Sequence, residues 1–202
     1  MGGSFYRTDT NSGDNRVKIV NSPIPDVKII ELDKLEDERG YFARTWCQNE
    51  LADEGISMTI AQCNLSYNEK AGTLRGMHYQ IPPYAEIKIV SCTRGKIFDV
   101  AVDLRPNSKT FRQYFGIELS ADNKRQLLIP EGFAHGFLTL VDQTEIYYLM
   151  SEFYHPEASR GLRWNDPAFD IIWPENVIHI KQRDETYPDF NYDNNARDFK
   201  LL

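Results

Sequence analysis

The segment Glu86-Ile-Lys-Ile-Val-Ser-Cys-Thr-Arg-Gly-Lys-Ile-Phe-Asp-Val-Ala-Val-Asp-Leu104 holds two apolar runs on either side of Arg94-Gly95. Each run is short and rich in β-branched residues, which pack well on a pleated surface. Read as a hairpin with a two-residue Arg94-Gly95 turn, it pairs Thr93 with Lys96, Val90 with Asp99 and Lys88 with Ala101. Alternation then puts Ile87, Ile89, Phe98, Val100, Val102 and Leu104 on one face, a packing surface. The other face carries Lys88, Val90, Cys92, Asp99, Ala101 and Asp103. Small residues beside isolated charges suit a pocket lining or a solvent-facing polar surface.

Similar runs extend in both directions: Val17–Val20, Val27–Leu32, Tyr41–Trp46, Thr59–Leu65, Leu74–Gln80, Tyr114–Leu119, Gln126–Ile129, Ala134–Leu140 and Glu145–Met150. Turn-forming clusters such as Pro82-Pro83, Pro106-Asn-Ser108 and Pro130-Glu-Gly132 separate many of them. Short strands at this spacing predict an all-β sandwich or barrel. Helical periodicity is confined to one short helix over Gln48–Glu54. After Pro156 the chain turns irregular and rich in Trp, Asp and Pro, as a segment packed over the outside of a sheet would be.

The chain has 202 residues, 41% hydrophobic and 26% charged, a globular composition. A chain of that length hides roughly 70% of its unfolded surface and builds a core without disulfides or metals. A formal charge of −7 argues against bulk affinity for nucleic acid or anionic membrane, yet leaves room for an anionic ligand held by a few arginines. No run of about 18 apolar residues is present to span a membrane. Residues 1–16 are Gly/Ser/Thr/Asp/Asn-rich and read as a flexible leader, leaving 17–202 as one domain. Cys47, Cys63 and Cys92, with no Cys-x-x-Cys pair, suit a cytoplasmic setting and offer no zinc site.

Four histidines are available: His78, His135, His155 and His179. His78 lies in an apolar run shared with Arg75; His135 is flanked by Ala134 and Gly136, which permit close approach. His155 and His179 have no such surroundings and read as ordinary polar residues. Close His-x-His pairing, phosphate-cradling glycine loops and serine elbows are all missing. Proton transfer by His, Tyr, Lys and Asp is the chemistry left.

His78 and His135 fall within ordered blocks that resemble the dTDP-4-dehydrorhamnose 3,5-epimerase family. The blocks are Asp37-Glu-Arg-Gly-Tyr-Phe42, Gln62-Cys-Asn64, Gly72-Thr-Leu-Arg-Gly-Met-His-Tyr-Gln80, Phe98-Asp-Val-Ala-Val-Asp-Leu-Arg105, Ile129-Pro-Glu-Gly-Phe-Ala-His-Gly-Phe137, Arg163-Trp-Asn-Asp-Pro167 and Gln182-Arg-Asp184. The match runs from about Val17 to Phe190. It implies a cupin-type jelly-roll β-barrel with a few short peripheral helices, acting on nucleoside-diphosphate 4-keto-6-deoxy sugars without cofactor or metal. By that resemblance His78 is the general base, Asp184 its carboxylate partner and Tyr148 the general acid. Lys88 and His135 lie near the sugar carbonyl and diphosphate, and Arg75 and Arg183 anchor phosphate. Arg39, Phe42, Arg44, Gln62, Asn64 and Tyr154 stand at substrate-contacting positions. The resemblance further implies a homodimer whose Arg39–Phe42 strand crosses into the partner's site. Without it, Tyr147 and Tyr148 are indistinguishable, and Asp99 is an alternative partner for Lys88 or His78.

Epimerisation beside a ketone needs a base for the acidic α-proton, a cation for the enolate oxygen and an acid on the other face. Imidazole, with a pKa of about 6.5, lysine and neutral tyrosine fit those roles. Arg44 and Ser159 replace frequent family glutamates, and Glu86-Ile87 replaces Gln-Gly, so the expectation is a base other than thymine or a related sugar. Competing readings are a sugar-nucleotide 3,4-ketoisomerase and a non-catalytic sugar-nucleotide-binding cupin.

Overall fold

A computed structural model describes residues 15–193, 198 and 199. Of the expected leader only Asn15 and Arg16 lie among the described residues, and Arg16 pairs with Asp53 at 3.0 Å. The strands in chain order are β1 (Val17–Asn21), β2 (Lys28–Leu32), β3 (Lys34–Asp37), β4 (Gly40–Ala43), β5 (Gln62–Asn68), β6 (Thr73–Gln80), β7 (Lys88–Arg94), β8 (Lys96–Asp103), β9 (Tyr114–Ser120), β10 (Gln126–Ile129), β11 (Phe133–Thr139), β12 (Thr144–Met150), β13 (Ser159–Gly161) and β14 (His179–Ile180). The short helices α1 (Gln48–Asp53) and α2 (Gln182–Glu185) accompany them among the described residues.

One sheet runs β1-β2-β10-β7-β12-β5 and the second β13-β6-β11-β8-β9, with β14 joining β6 in parallel. The expected 94–95 hairpin does not form. β7 lies between β10 and β12 in the first sheet, while β8 lies between β11 and β9 in the second. Arg94-Gly95 is the corner where the chain changes sheets, so Val90 faces Leu127 and Tyr148 in register, and Asp99 faces Phe137 and Ile117. Alternation still sorts the side chains. Val90, Cys92 and Ala101 join the apolar cluster between the sheets, with Ile97, Leu127 and Ile146. The other face, expected to be one packing surface, is two. Ile87 and Ile89 lie under α1 with Leu51 and Met58, whereas Phe98, Val100, Val102 and Leu104 lie under the chain after Pro156, with Leu162 and Phe169. The covering role expected for that irregular segment holds.

Each sheet thus buries both faces over much of its area, and the architecture is a jelly-roll barrel of the cupin type. At β5 the alternation inverts. Gln62, Asn64 and Ser66 point inward, half-buried, while Cys63, Leu65 and Tyr67 are exposed outward. A polar inward stripe shows that this end of the barrel holds a polar cavity instead of core. Between β6 and β11 the backbones approach too closely for side chains: a Cβ on Gly76 (φ +138°) would lie 2.5 Å from Gly136 Cα. That contact, at a register shift between His135 and Phe137, fixes how the two strands present their histidines.

Candidate active site

The cavity at the β5 end has a volume of about 610 Å³, within the range of small-ligand pockets. Cross-strand register builds its first wall in rungs. Lys88, Met150 and Gln62 align across β7, β12 and β5, and Val90, Tyr148 and Asn64 form the next rung. The second wall is β6 and β11, where His78 and His135 are direct partners. Tyr148 and His78 therefore enter one cavity from opposite sheets.

His78 Nε2 lies 2.8 Å from Asp184 Oδ1, and Gly76 N–H reaches Asp184 Oδ2 at 3.4 Å. Burial alone would raise the Asp184 carboxyl. The hydrogen bond and charge of His78, the Gly76 N–H and the Arg183 guanidinium outweigh that effect and hold it below its ordinary value. An ionised carboxylate only accepts, so His78 Nε2 carries the hydrogen and Nδ1 is the nitrogen left to take a proton. Burial pushes the Tyr148 phenol up against the opposing charge of Arg75, so it stays protonated at neutral pH. The phenol is a donor.

His135 Nε2 lies 2.8 Å from Oδ1 of Asp99, which is fully buried. The alternative pairing of Asp99 with Lys88 or His78 is therefore corrected: neighbouring strands place it under His135. The Lys88 ammonium donates to the His78 carbonyl at 3.2 Å and pairs with Glu86 at 2.9 Å. Arg75 lies at the cavity with its Nε on Asn68 Oδ1 at 2.7 Å. Gln62 donates to Asn64 at 3.2 Å and accepts the Tyr154 N–H at 2.9 Å. Among the described residues, Arg75, Lys88, Lys181 and Arg183 face the cavity against Glu86 and Asp184, a cationic balance in an acidic chain that suits an anionic ligand.

Three expected contact residues lie elsewhere. Arg39 and Phe42 belong to the isolated β3–β4 hairpin, Arg39 paired to Asp37 and Phe42 exposed. Arg44 is bound to the largely buried Glu50 of α1, whose carboxylate also takes the Val17 N–H. None of the three lines this chain's cavity. Tyr147 points outward and is exposed, which separates it from Tyr148. His179 does line the cavity, contrary to its ordinary reading, whereas His155 stacks on Tyr84. Among the described residues, no group of three His, Cys, Asp or Glu side chains could hold a metal ion.

The family model described as dTDP-4-dehydrorhamnose 3,5-epimerase matches residues 21–192. The chain belongs to that family. Carbohydrate epimerisation, an isomerase reaction, is its enzyme class. It is 45% identical over 169 residues to the dTDP-4-dehydrorhamnose 3,5-epimerase of Shigella flexneri, covering 83% of this chain and 93% of that one. It is also similar to the solved Bacillus anthracis enzyme of that name with TDP and PPi bound. That match has a TM-score of 0.83 and 40% identity, covering 86% of this chain and 99% of that one. The dTDP-6-deoxy-D-glucose-3,5-epimerase of Legionella pneumophila, solved in complex with dTDP-4-keto-L-rhamnose, gives a TM-score of 0.80 at 38% identity, covering 85% and 92%.

Within this epimerase site two neighbours escaped the sequence reading. Tyr187 accepts the Arg183 Nε–H at 2.8 Å and sets its ring edge-on to His78, centroids 6.3 Å apart. Gly161, in register with His78, leaves the space that the Tyr187 ring fills. Glu86 was noticed only as an exchange, with nothing to say that it would meet Lys88.

Proposed function

We propose that this protein inverts C3, C5 or both in a nucleoside-diphosphate 4-keto-6-deoxy sugar, with thymidine diphosphate as the carrier, in deoxysugar biosynthesis. The observation that carries the reading is the entry of a carboxylate-held imidazole and a protonated phenol into one cavity from facing sheets. His78 Nδ1 takes the proton α to the ketone. The C4 oxygen gains negative charge, which the Lys88 ammonium neutralises. Tyr148 returns a proton from the opposite face, and solvent resets the pair. Asp184 fixes the imidazole's tautomer and stabilises its charged form. Arg75 and Arg183 hold the diphosphate, with His135 beside it, while Gln62, Asn64 and Tyr154 border the sugar and nucleoside.

The Arg39–Phe42 strand acts in this reading across a homodimer. Its support is the exposed aromatic β3–β4 hairpin together with the outward Cys63, Leu65 and Tyr67 of β5, apolar surface that a second copy would cover. The thymidine carrier follows the relatives' names; Arg44, engaged with Glu50, supplies no ground for another base. A cytoplasmic location suits three unpaired cysteines, and no described helix is long and apolar enough to cross a membrane.

The test is an NMR assay of 4-keto-6-deoxy sugars on dTDP, CDP, GDP and UDP. Inverted product from the dTDP substrate is expected. Inversion with another carrier only would overturn the thymidine assignment, and carbonyl migration from C4 to C3 would overturn the reaction.

A further inference from the structure

Glu86 is the cavity carboxylate for which the proton-transfer scheme has no use. It is 7% exposed, and its Oε1 lies 2.9 Å from Lys88 Nζ. Its Oε2 is buried with no hydrogen-bond partner among the described residues. Glu131 makes no hydrogen bond to it, although the charge of Glu86 reaches that carboxyl and, after burial and together with Glu152, pushes it up. Buried polar oxygens are ordinarily bonded, because leaving one unpaired forfeits its hydration. A carboxylate paired to lysine can only accept, so the ligand group that complements Oε2 is a donor. Phosphate oxygens and the ketone are ruled out as that group.

We propose that Glu86 is a specificity residue whose Oε2 accepts a hydrogen bond from the hydroxyl on C3 of the bound sugar. This rests on the epimerase reading above, in which Lys88 meets the C4 oxygen. Glu86 is clamped to the same ammonium, so in that reading a sugar seated with its C4 oxygen on Lys88 brings a carbon next to C4 toward the Glu86 carboxylate. Of the two carbons beside C4, C5 carries a methyl group and the ring oxygen, neither of them a donor. C3 carries the hydroxyl. The family's usual glutamine could donate as well as accept; glutamate narrows the choice to a donor.

The experiment compares a dTDP-linked 4-keto-6-deoxyhexose with its 3-deoxy counterpart, reading solvent deuterium incorporated at C3 and at C5 with kcat and KM for each. The wild-type enzyme should favour the hydroxyl-bearing substrate by about 10- to 100-fold in kcat/KM. Glu86→Leu should bring that ratio to within about threefold of unity, and Glu86→Gln, which keeps shape and a weaker acceptor, should shrink it several-fold. A ratio unchanged in Glu86→Gln, or losses equal on both substrates, would overturn the assignment of Glu86 and leave the reaction standing. Absence of exchange by the wild type on either substrate would overturn the epimerase reading and this inference with it.

Discussion

The two histidine–carboxylate pairs share a geometry and differ in construction. His78 and His135 face each other across β6 and β11, each with Nε2 2.8 Å from a carboxylate. The His78 side chain is 36% exposed and its aspartate comes from α2, far along the chain; the His135 side chain is 11% exposed and its aspartate is a residue of the adjoining β8. An imidazole at the cavity surface can exchange protons with ligand and solvent. One sunk between strands presents a fixed ring. The contrast supports the proposed division, turnover at His78 and ligand placement at His135.

Substitution can break that contrast. His78→Ala is expected to lower kcat by on the order of 10³–10⁴, measured by steady-state epimerisation. Asp184→Asn should cost about 10²–10³, because the amide no longer selects the tautomer that leaves Nδ1 free. His135→Asn should cost about 10- to 100-fold, expressed mainly in KM. A His135 loss equal to that of His78, falling in kcat, would erase the distinction. The smallest effect belongs to Asp99→Asn, a loss of about 1–3 kcal/mol in urea unfolding with turnover largely kept, since a neutral amide oxygen is a weaker acceptor for His135 than the carboxylate and its NH2 would stand where Oδ2 already lacks a partner.

The same comparison has a pH dimension. Asp184 is held below its ordinary value of 3.8, so the unfolded chain takes up the proton first as pH falls. Its stabilising contribution is complete above the unfolded value and disappears as pH drops through the lower folded one. The difference in thermal midpoint between wild type and Asp184→Asn should therefore be greatest near neutrality and shrink below about pH 4. A gap constant down to pH 2 would show that ionisation of Asp184 adds nothing to folding.

The strands were legible because alternation reports which side chains turn inward. It does not report which sheet they join. Both sheets bury an inner and an outer face, so a misassigned hairpin at Arg94-Gly95 still sorted Lys88, Val90 and Ala101 from Ile89 and Val100. His78 and Lys88 stood out as polar groups in apolar runs. Asp184 did not: four residues of helix in an irregular segment carry no periodicity, and its approach to His78 is a long-range contact. Only the resemblance supplied it. Arg39 and Phe42 stand in its blocks and Arg44 just beyond them, and all three lie off this chain's cavity; the resemblance assigns the Arg39–Phe42 strand to a partner's site. Glu86 and Tyr187 were missed for the opposite reason, being ordinary residues whose meaning comes from Lys88 and His78 beside them.

Opposed proton transfer from two walls is tested most directly by running Tyr148→Phe and His78→Ala in D₂O and following both the configuration and the isotope at C3 and C5. With the phenol gone, His78 should still remove hydrogen and return deuterium to the same face, giving labelled sugar of retained configuration; with the imidazole gone, no label should enter. Inversion by Tyr148→Phe at an undiminished rate, or wash-in by His78→Ala, would contradict the account.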